Sequence, residues 1–307
     1  MTKPNKQPQQ TNIDMIYNYQ KPVYDAIRKT MHTHFVTKDL NLPVRPRNHR
    51  LIVGSTGTGK THIAEKVAKE LNWATFNINV GSWIPLGARD TPTWNRITTW
   101  LSTVPIGQPA VIIMDELDKV SGDESWSRFL RAEFFSLLDG KHPTPGFTID
   151  GDIPEPQIHE TCERVEKMLS QILVIGCGAF QHVFDSPKHM GFGAQPPDKV
   201  GSSKLAKSLQ RELVNRFSQD ILVLPELTRT DYSEMLDTAA GLLPDDLAEL
   251  VLSDREKKLD SAVEDKSAAR FVEAIVSEAL SVFADGELEP WSPCSGFGDM
   301  SIPEGSW

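Results

Sequence analysis

The chain contains no run of about 18 consecutive apolar residues, so no helix able to cross a bilayer is expected. Residues 1–10 are rich in Lys, Gln, Pro and Asn and lack the apolar stretch of a secretory signal. Cysteine is scarce: Cys162, Cys177 and Cys294 lie far apart in 307 residues. So odd and scattered a set builds neither a disulfide framework nor a zinc site, and reduced thiols in a cytoplasmic setting are expected. The only close histidine pair, His32 and His34, has no cysteine or carboxylate cluster beside it, and a surface helix accounts for it. Positive charge is also short, since 32 Lys and Arg face 42 Asp and Glu, a net −10. Broad nonspecific binding to nucleic acid relies on neutralising phosphates and is disfavoured at that balance. A local basic strip inside an oligomeric pore stays compatible with it. No repeat with a period of 20 to 50 residues is visible.

What is present begins with Gly54-Ser55-Thr56-Gly57-Thr58-Gly59-Lys60-Thr61. The apolar run Leu51-Ile52-Val53 precedes it, and Ile63, Ala64, Val67, Ala68 and Leu71 follow at helical spacing. Strand, glycine-rich turn and helix are the context that the P-loop pattern requires. Backbone N–H groups of such a turn wrap an anion at the positive end of a helix. Lys60 then reaches the β- and γ-phosphates of a nucleoside triphosphate, and the Thr61 hydroxyl holds Mg²⁺. Downstream, Ala110-Val111-Ile112-Ile113-Met114 is an unbroken apolar run, as in a parallel strand covered on both faces. It ends in Asp115-Glu116, carboxylates at the carboxyl end of a strand, where α/β sheets bind ligands. Asp115 suits the Mg²⁺ shell and Glu116 suits the base that orients an attacking water.

Helical spacing over residues 13–35 leads into Pro43 and Pro46 and an extended link to the first strand. Thr75-Phe76-Asn77-Ile78-Asn79 alternates like a strand, and residues 94–101 and 126–138 read as helices. Residues 141–157 interrupt that rhythm with four prolines and two glycines, an insertion rather than a tight connection. Strands are expected at Ile172-Leu173-Val174-Ile175, closing on Gly176-Cys177-Gly178, and at Ile221-Leu222-Val223-Leu224. From Thr228 onward the pattern is helical. The expected organisation is a disordered tail (1–12) and an α/β nucleotide-binding domain with a central parallel sheet (13–226, insertion at 141–170). A small all-helical lid (227–285) and a flexible tail (286–307) follow.

Five further stretches resemble an AAA+ ATPase of the ClpX/HslU type over roughly residues 13–284. Ile112-Ile113-Met114-Asp115-Glu116-Leu117-Asp118-Lys119 is similar to its Walker B segment, and the insertion after Leu138-Asp139-Gly140 sits where that group carries a pre-sensor hairpin. Residues 172–180, ending Gly178-Ala179-Phe180, resemble the sensor-1 strand, with Cys177 or Gly178 in place of its polar group. Glu212-Leu213-Val214-Asn215-Arg216-Phe217 resembles the arginine-finger segment, and Ser267-Ala268-Ala269-Arg270 the sensor-2 segment of the lid. The resemblance implies that Arg216 acts on a neighbouring subunit's ATP, hence a homo-oligomeric ring, most simply a hexamer. It also implies that Arg270 contacts the nucleotide and that Asn18-Tyr19-Gln20 stands at the adenine pocket.

A pore loop falls in one of two registers. Gly87-Ala88-Arg89-Asp90 occupies the aromatic loop position in one, and Trp83-Ile84-Pro85 in the other, with Trp83 expected to grip the client. Met190-Gly191-Phe192-Gly193-Ala194 resembles the loop with which ClpX docks its peptidase ring, implying a ClpP-type partner. A loop tucked into its own subunit is the alternative. No counterpart of the zinc-binding N-terminal domain of ClpX is visible, so a client receptor is expected elsewhere. Three functions compete: remodelling of a protein client, an ATP-driven motor or assembly switch on nucleic acid, and a nonenzymatic nucleotide-binding scaffold. Arg89 and Arg96 beside Trp94 and Trp100 favour the second, because cations and aromatics track a single strand. The net charge favours the first, and intact Lys60, Asp115, Glu116 and Arg216 argue against the third.

Overall fold

The computed structural model describes residues 15–40, 46, 48–88, 90–121, 125–149, 155–180, 209, 211–218 and 220–287. Its centre is a parallel sheet of β1 (Arg50–Val53), β2 (Ala74–Asn79), β3 (Ala110–Asp115), β4 (Leu173–Gly178) and β5 (Leu222–Val223), in the order β2-β3-β4-β1-β5. Placing β4 between β3 and β1 brings three loops to one edge. Val53 pairs with Gly178 and Asn79 with Asp115, so the turn after β1, the carboxylates after β3 and the end of β4 open on a single crevice. Only β5 falls short of its expected length, because it pairs with just Ile52 and Val53 of the four-residue β1.

The unbroken apolar run in β3 follows from two covered faces. Val111 and Ile113 join one buried cluster, and Ala110, Ile112 and Met114 join the other. The first face is covered by α1 (Lys21–Thr37) and α2 (Lys60–Glu70), the second by α3 (Thr93–Thr103), α4 (Ser125–Leu138) and α5 (Glu155–Ser170). Helix α5 occupies part of the expected insertion. It buries Val165 and Leu169 in the second cluster, and its Arg164 donates to the Ser102 carbonyl in α3.

After a short α6 (Arg211–Val214) and β5, the chain forms the expected helical bundle: α7 (Arg229–Leu242), α8 (Asp245–Leu252), α9 (Arg255–Asp265) and α10 (Arg270–Glu287). A capping box starts α7: the Thr228 hydroxyl accepts from the Asp231 N–H, and the Asp231 carboxylate accepts from the Thr228 N–H. The bundle's apolar side, including Tyr232, Met235, Phe271 and Ile275, belongs to the same buried cluster as α1 and α2. Among the described residues no helix is long and apolar enough to cross a membrane. Residues 1–12, Arg89, Met190, Gly191, Phe192 and residues 288–307 lie outside the described set.

Candidate nucleotide site

Two glycines of the turn after β1, Gly57 (φ +82°) and Gly59 (φ +85°), hold a left-handed backbone that side chains with a Cβ disfavour. Gly59 has a second constraint, since a Cβ there would stand 2.4 Å from Gln20 Nε2. That Gln20 amide donates to the Thr58 carbonyl at 3.0 Å, and the Tyr19 hydroxyl donates to the same oxygen at 3.2 Å. The segment expected at the adenine pocket therefore clamps the P-loop backbone. Lys60 begins α2 and is only 8% exposed. Its Nζ donates to the Gly54 and Ser55 carbonyls, both at 2.9 Å. Burial pushes the Lys60 ammonium below its usual pKa, with nearby Cys177, Asp115 and Asp118 opposing that shift. An ammonium bonded to two carbonyls has one further donor available for a phosphate oxygen.

Asp115 closes β3, and its Oδ1 accepts from the Glu116 N–H at 2.8 Å. Glu116 itself sits at φ +57°, a left-handed position that turns its side chain away from the strand path. Lys119 Nζ donates to Glu116 Oε2 at 2.7 Å, and Asn79 at the end of β2 also hydrogen-bonds this carboxylate. The Lys119 bond chiefly, and the Asn79 bond next, hold the Glu116 carboxyl below its ordinary range. Under the P-loop, burial pushes the Cys177 thiol up to about 12, although a hydrogen bond with the Thr61 side chain opposes the shift. The thiol is thus held neutral. Asp118 secures the neighbouring edge by accepting the Ala179 N–H at 3.0 Å.

These groups surround a cleft of about 560 Å³. Thr56, Gly57, Gly59, Lys60 and Thr61 of the turn, Asp115 and Glu116 after β3, and Arg270 of α10 all line it. Met15, Tyr17 and Gln20 line the same cleft. Thr61 and Asp115 bring hard oxygen donors to one cleft, which fits Mg²⁺, a cation that binds through one or two protein oxygens plus phosphates and water. Among the described residues no cluster of three or more His, Cys, Asp or Glu side chains would hold a metal by itself.

A family model described as "ATPase family associated with various cellular activities (AAA)" matches residues 50–187. Those residues are similar to an AAA ATPase domain. Fidgetin-like protein 1 of Caenorhabditis elegans is 29% identical over 130 residues, 39% of this chain and 21% of that protein. Its Drosophila melanogaster counterpart is 35% identical over 108 residues, 33% of this chain and 20% of the relative. Spastin of Xenopus laevis is 33% identical over 101 residues, 31% and 16% respectively. The chain thus spans about a fifth or less of the length of these curated relatives. The matches support the AAA domain and not specifically the narrower ClpX/HslU type.

The matched AAA stretch ends before Arg216, which does not line the cleft. Its guanidinium pairs with Asp139 at the end of α4, Nε to Oδ1 at 3.0 Å and Nη2 to Oδ2 at 3.2 Å, and stacks over the Phe135 ring at 4.3 Å. Arg270, by contrast, joins the AAA cleft although it lies some 200 residues along the chain from Lys60. Trp83 departs from expectation. It is 3% exposed, packed edge-on against Phe134 at 4.7 Å, and its Nε1 donates to Glu133 Oε2 at 2.7 Å. A side chain enclosed in that way cannot grip a client, so the gripping role expected of Trp83 is corrected to one in the core. Trp94 is likewise fully buried and cannot stack on a nucleic-acid base. Arg89, the alternative pore-loop residue, and the Met190-Gly191-Phe192 docking loop fall outside the described residues. Asn79, Lys119 and Tyr19 joined or braced the site without being singled out for these contacts. Lys119 lay in the Walker B-like stretch and Tyr19 in the segment expected at the adenine pocket, while Asn79 was signalled only by the alternation of β2.

Proposed function

We propose that the chain binds Mg²⁺-ATP in this cleft and hydrolyses it within a homo-oligomeric ring, most simply a hexamer, that remodels a protein client. The observation that carries the reading is the separation of its cationic groups. Lys60 and Arg270 line the chain's own cleft, whereas Arg216 is held outside it, half-buried and paired with Asp139 just after α4, free to serve a neighbour in this reading. In this reading Lys60 binds the β- and γ-phosphates, Arg270 steadies them from the lid, and Glu116 orients and deprotonates the attacking water. Mg²⁺ held by Thr61 and Asp115 would neutralise charge developing on the phosphate oxygens. Arg216 of the adjoining subunit stabilises the transferred phosphoryl group. Docking of a ClpP-type peptidase on Met190, Gly191 and Phe192 belongs to the ClpX-like form of the proposal and draws no support from the relatives matched.

A protein client is favoured over nucleic acid because the net charge is −10 and Trp94, one of the aromatics that would stack on bases, is enclosed. The deciding measurement is the ATPase rate of the full chain alone, with an unfolded protein, and with single-stranded DNA. Stimulation by the unfolded protein is expected. Stimulation by DNA alone would replace the reading with a nucleic-acid motor.

A further inference from the structure

Between α9 and α10 the chain passes through Lys266, Ser267, Ala268 and Ala269. Lys266 (φ +49°) and Ala268 (φ +52°) both hold the left-handed conformation without being glycine. A residue with a Cβ stays there only where surrounding contacts keep it. Around Ala268 those contacts are specific. Its N–H donates to the Tyr232 hydroxyl at 3.1 Å. The next amide, Ala269 N–H, donates to the Gly57 carbonyl at the tip of the P-loop, also at 3.1 Å. The Ala268 methyl covers Gly57, lying 3.3 Å from where a Cβ on that glycine would stand. Tyr232 reaches the turn from α7, 2% exposed, with its ring edge-on to Phe271 at 5.3 Å. It does not line the cleft, but the residue before Phe271 is Arg270, which does.

We propose that Tyr232 is a positioning residue for the nucleotide site: its hydroxyl holds the left-handed turn at Ala268, which seats the helical bundle on the P-loop and aims Arg270 into the cleft. The inference rests on the reading of that cleft as the ATP site. Without the hydroxyl, the Ala268 N–H is left buried and unpaired, a cost the turn sheds by rotating out of the left-handed region. The same rotation withdraws Ala269 from Gly57 and moves Arg270, because one short turn carries all three. Tyr232 thereby couples bundle and P-loop through backbone geometry alone.

The test is titration of the full chain with a fluorescent ATP analogue and Mg²⁺. Tyr232→Phe keeps the ring against Phe271 and is expected to weaken binding about tenfold, the scale of one lost buried hydrogen bond. In an Arg270→Ala background the same change is expected to cost less than about twofold, since the residue it positions is already gone. A purely structural role would give equal losses in both backgrounds, and that result, or binding by a folded Tyr232→Phe within about twofold of wild type, overturns the proposal. Amide exchange on the wild-type chain gives a readout independent of variant folding. The Ala268 and Ala269 amides are expected to exchange at least about tenfold slower than unstructured amides, and unprotected rates would also overturn the latch. Lys60→Ala separates the two readings: if it binds the analogue as wild type does, the cleft is not the ATP site, whatever Tyr232 does.

Discussion

Lys60 follows the carboxyl end of β1 and Arg216 lies near its amino end, where the Ser218 N–H donates to the His49 carbonyl, and the surroundings of the two cations are opposite. Lys60 is 8% exposed and its Nζ donates to backbone carbonyls of its own turn, in a cleft lined by residues of the same chain. Arg216 stands outside that cleft, with a bidentate carboxylate partner and an aromatic ring beneath it. A buried ammonium held by neutral carbonyls is poised for an anion brought to it. A guanidinium already neutralised by Asp139 and kept in one orientation is a preformed group that meets a second molecule with little further ordering. On the proposed reading, the contrast separates a binding half within one chain from a transition-state half that another chain would complete.

The largest expected effect breaks that division at Arg216. Arg216→Ala should lower kcat about 10³-fold while leaving the ATP dissociation constant within about threefold, since the group acts on the transition state. Inactive Arg216→Ala and inactive Lys60→Ala subunits should regain turnover when mixed. Co-assembled rings that stay inactive would place the arginine's action within its own chain. Glu116→Gln comes next, with turnover expected to fall at least about 10²-fold and binding retained, because shape is kept and the base removed. Single-turnover and binding measurements on the same preparation check both halves of that statement.

Trp83 sharpens the comparison from the side of the core. Trp83→Ala removes a buried ring and the donor to Glu133, so a loss of roughly 3–5 kcal/mol in folding stability is expected. Denaturant unfolding measures it. An unchanged midpoint with lost client processing would return Trp83 to a gripping role. The smallest effect concerns pH. Lys119 favours the charged form of Glu116, so Lys119→Met should let the Glu116 pKa rise toward its ordinary value. The acid limb of the kcat profile then moves to higher pH, while turnover at neutral pH stays within about threefold. A limb that moves to lower pH, or not at all, would remove Lys119 from the control of Glu116.

The P-loop and the Asp115-Glu116 pair were legible in the chain because each is one unbroken stretch whose local geometry does the chemistry. Gly57 and Gly59 allow the turn, α2 starts at Lys60, and an apolar strand delivers the carboxylates to the sheet edge. The helical bundle was legible through its apolar spacing, though α9 emerged as a separate helix only from its left-handed ends at Asp254 and Lys266. Other contacts had no local signature. Gln20 meets Thr58 across 38 residues, Trp83 meets Glu133 across 50, and Arg216 meets Asp139 across 77. The sequence by itself set out the P-loop turn and its carboxylate partners, since those groups lie within one turn and one strand end. Only the tertiary structure decided that Trp83 belongs to the core, that Arg216 stands outside its own cleft, and that Tyr232 reaches the turn before Arg270. Each depends on which distant side chain the packing of sheet, helices and bundle brings within 3 to 5 Å, and no spacing along the chain encodes that distance.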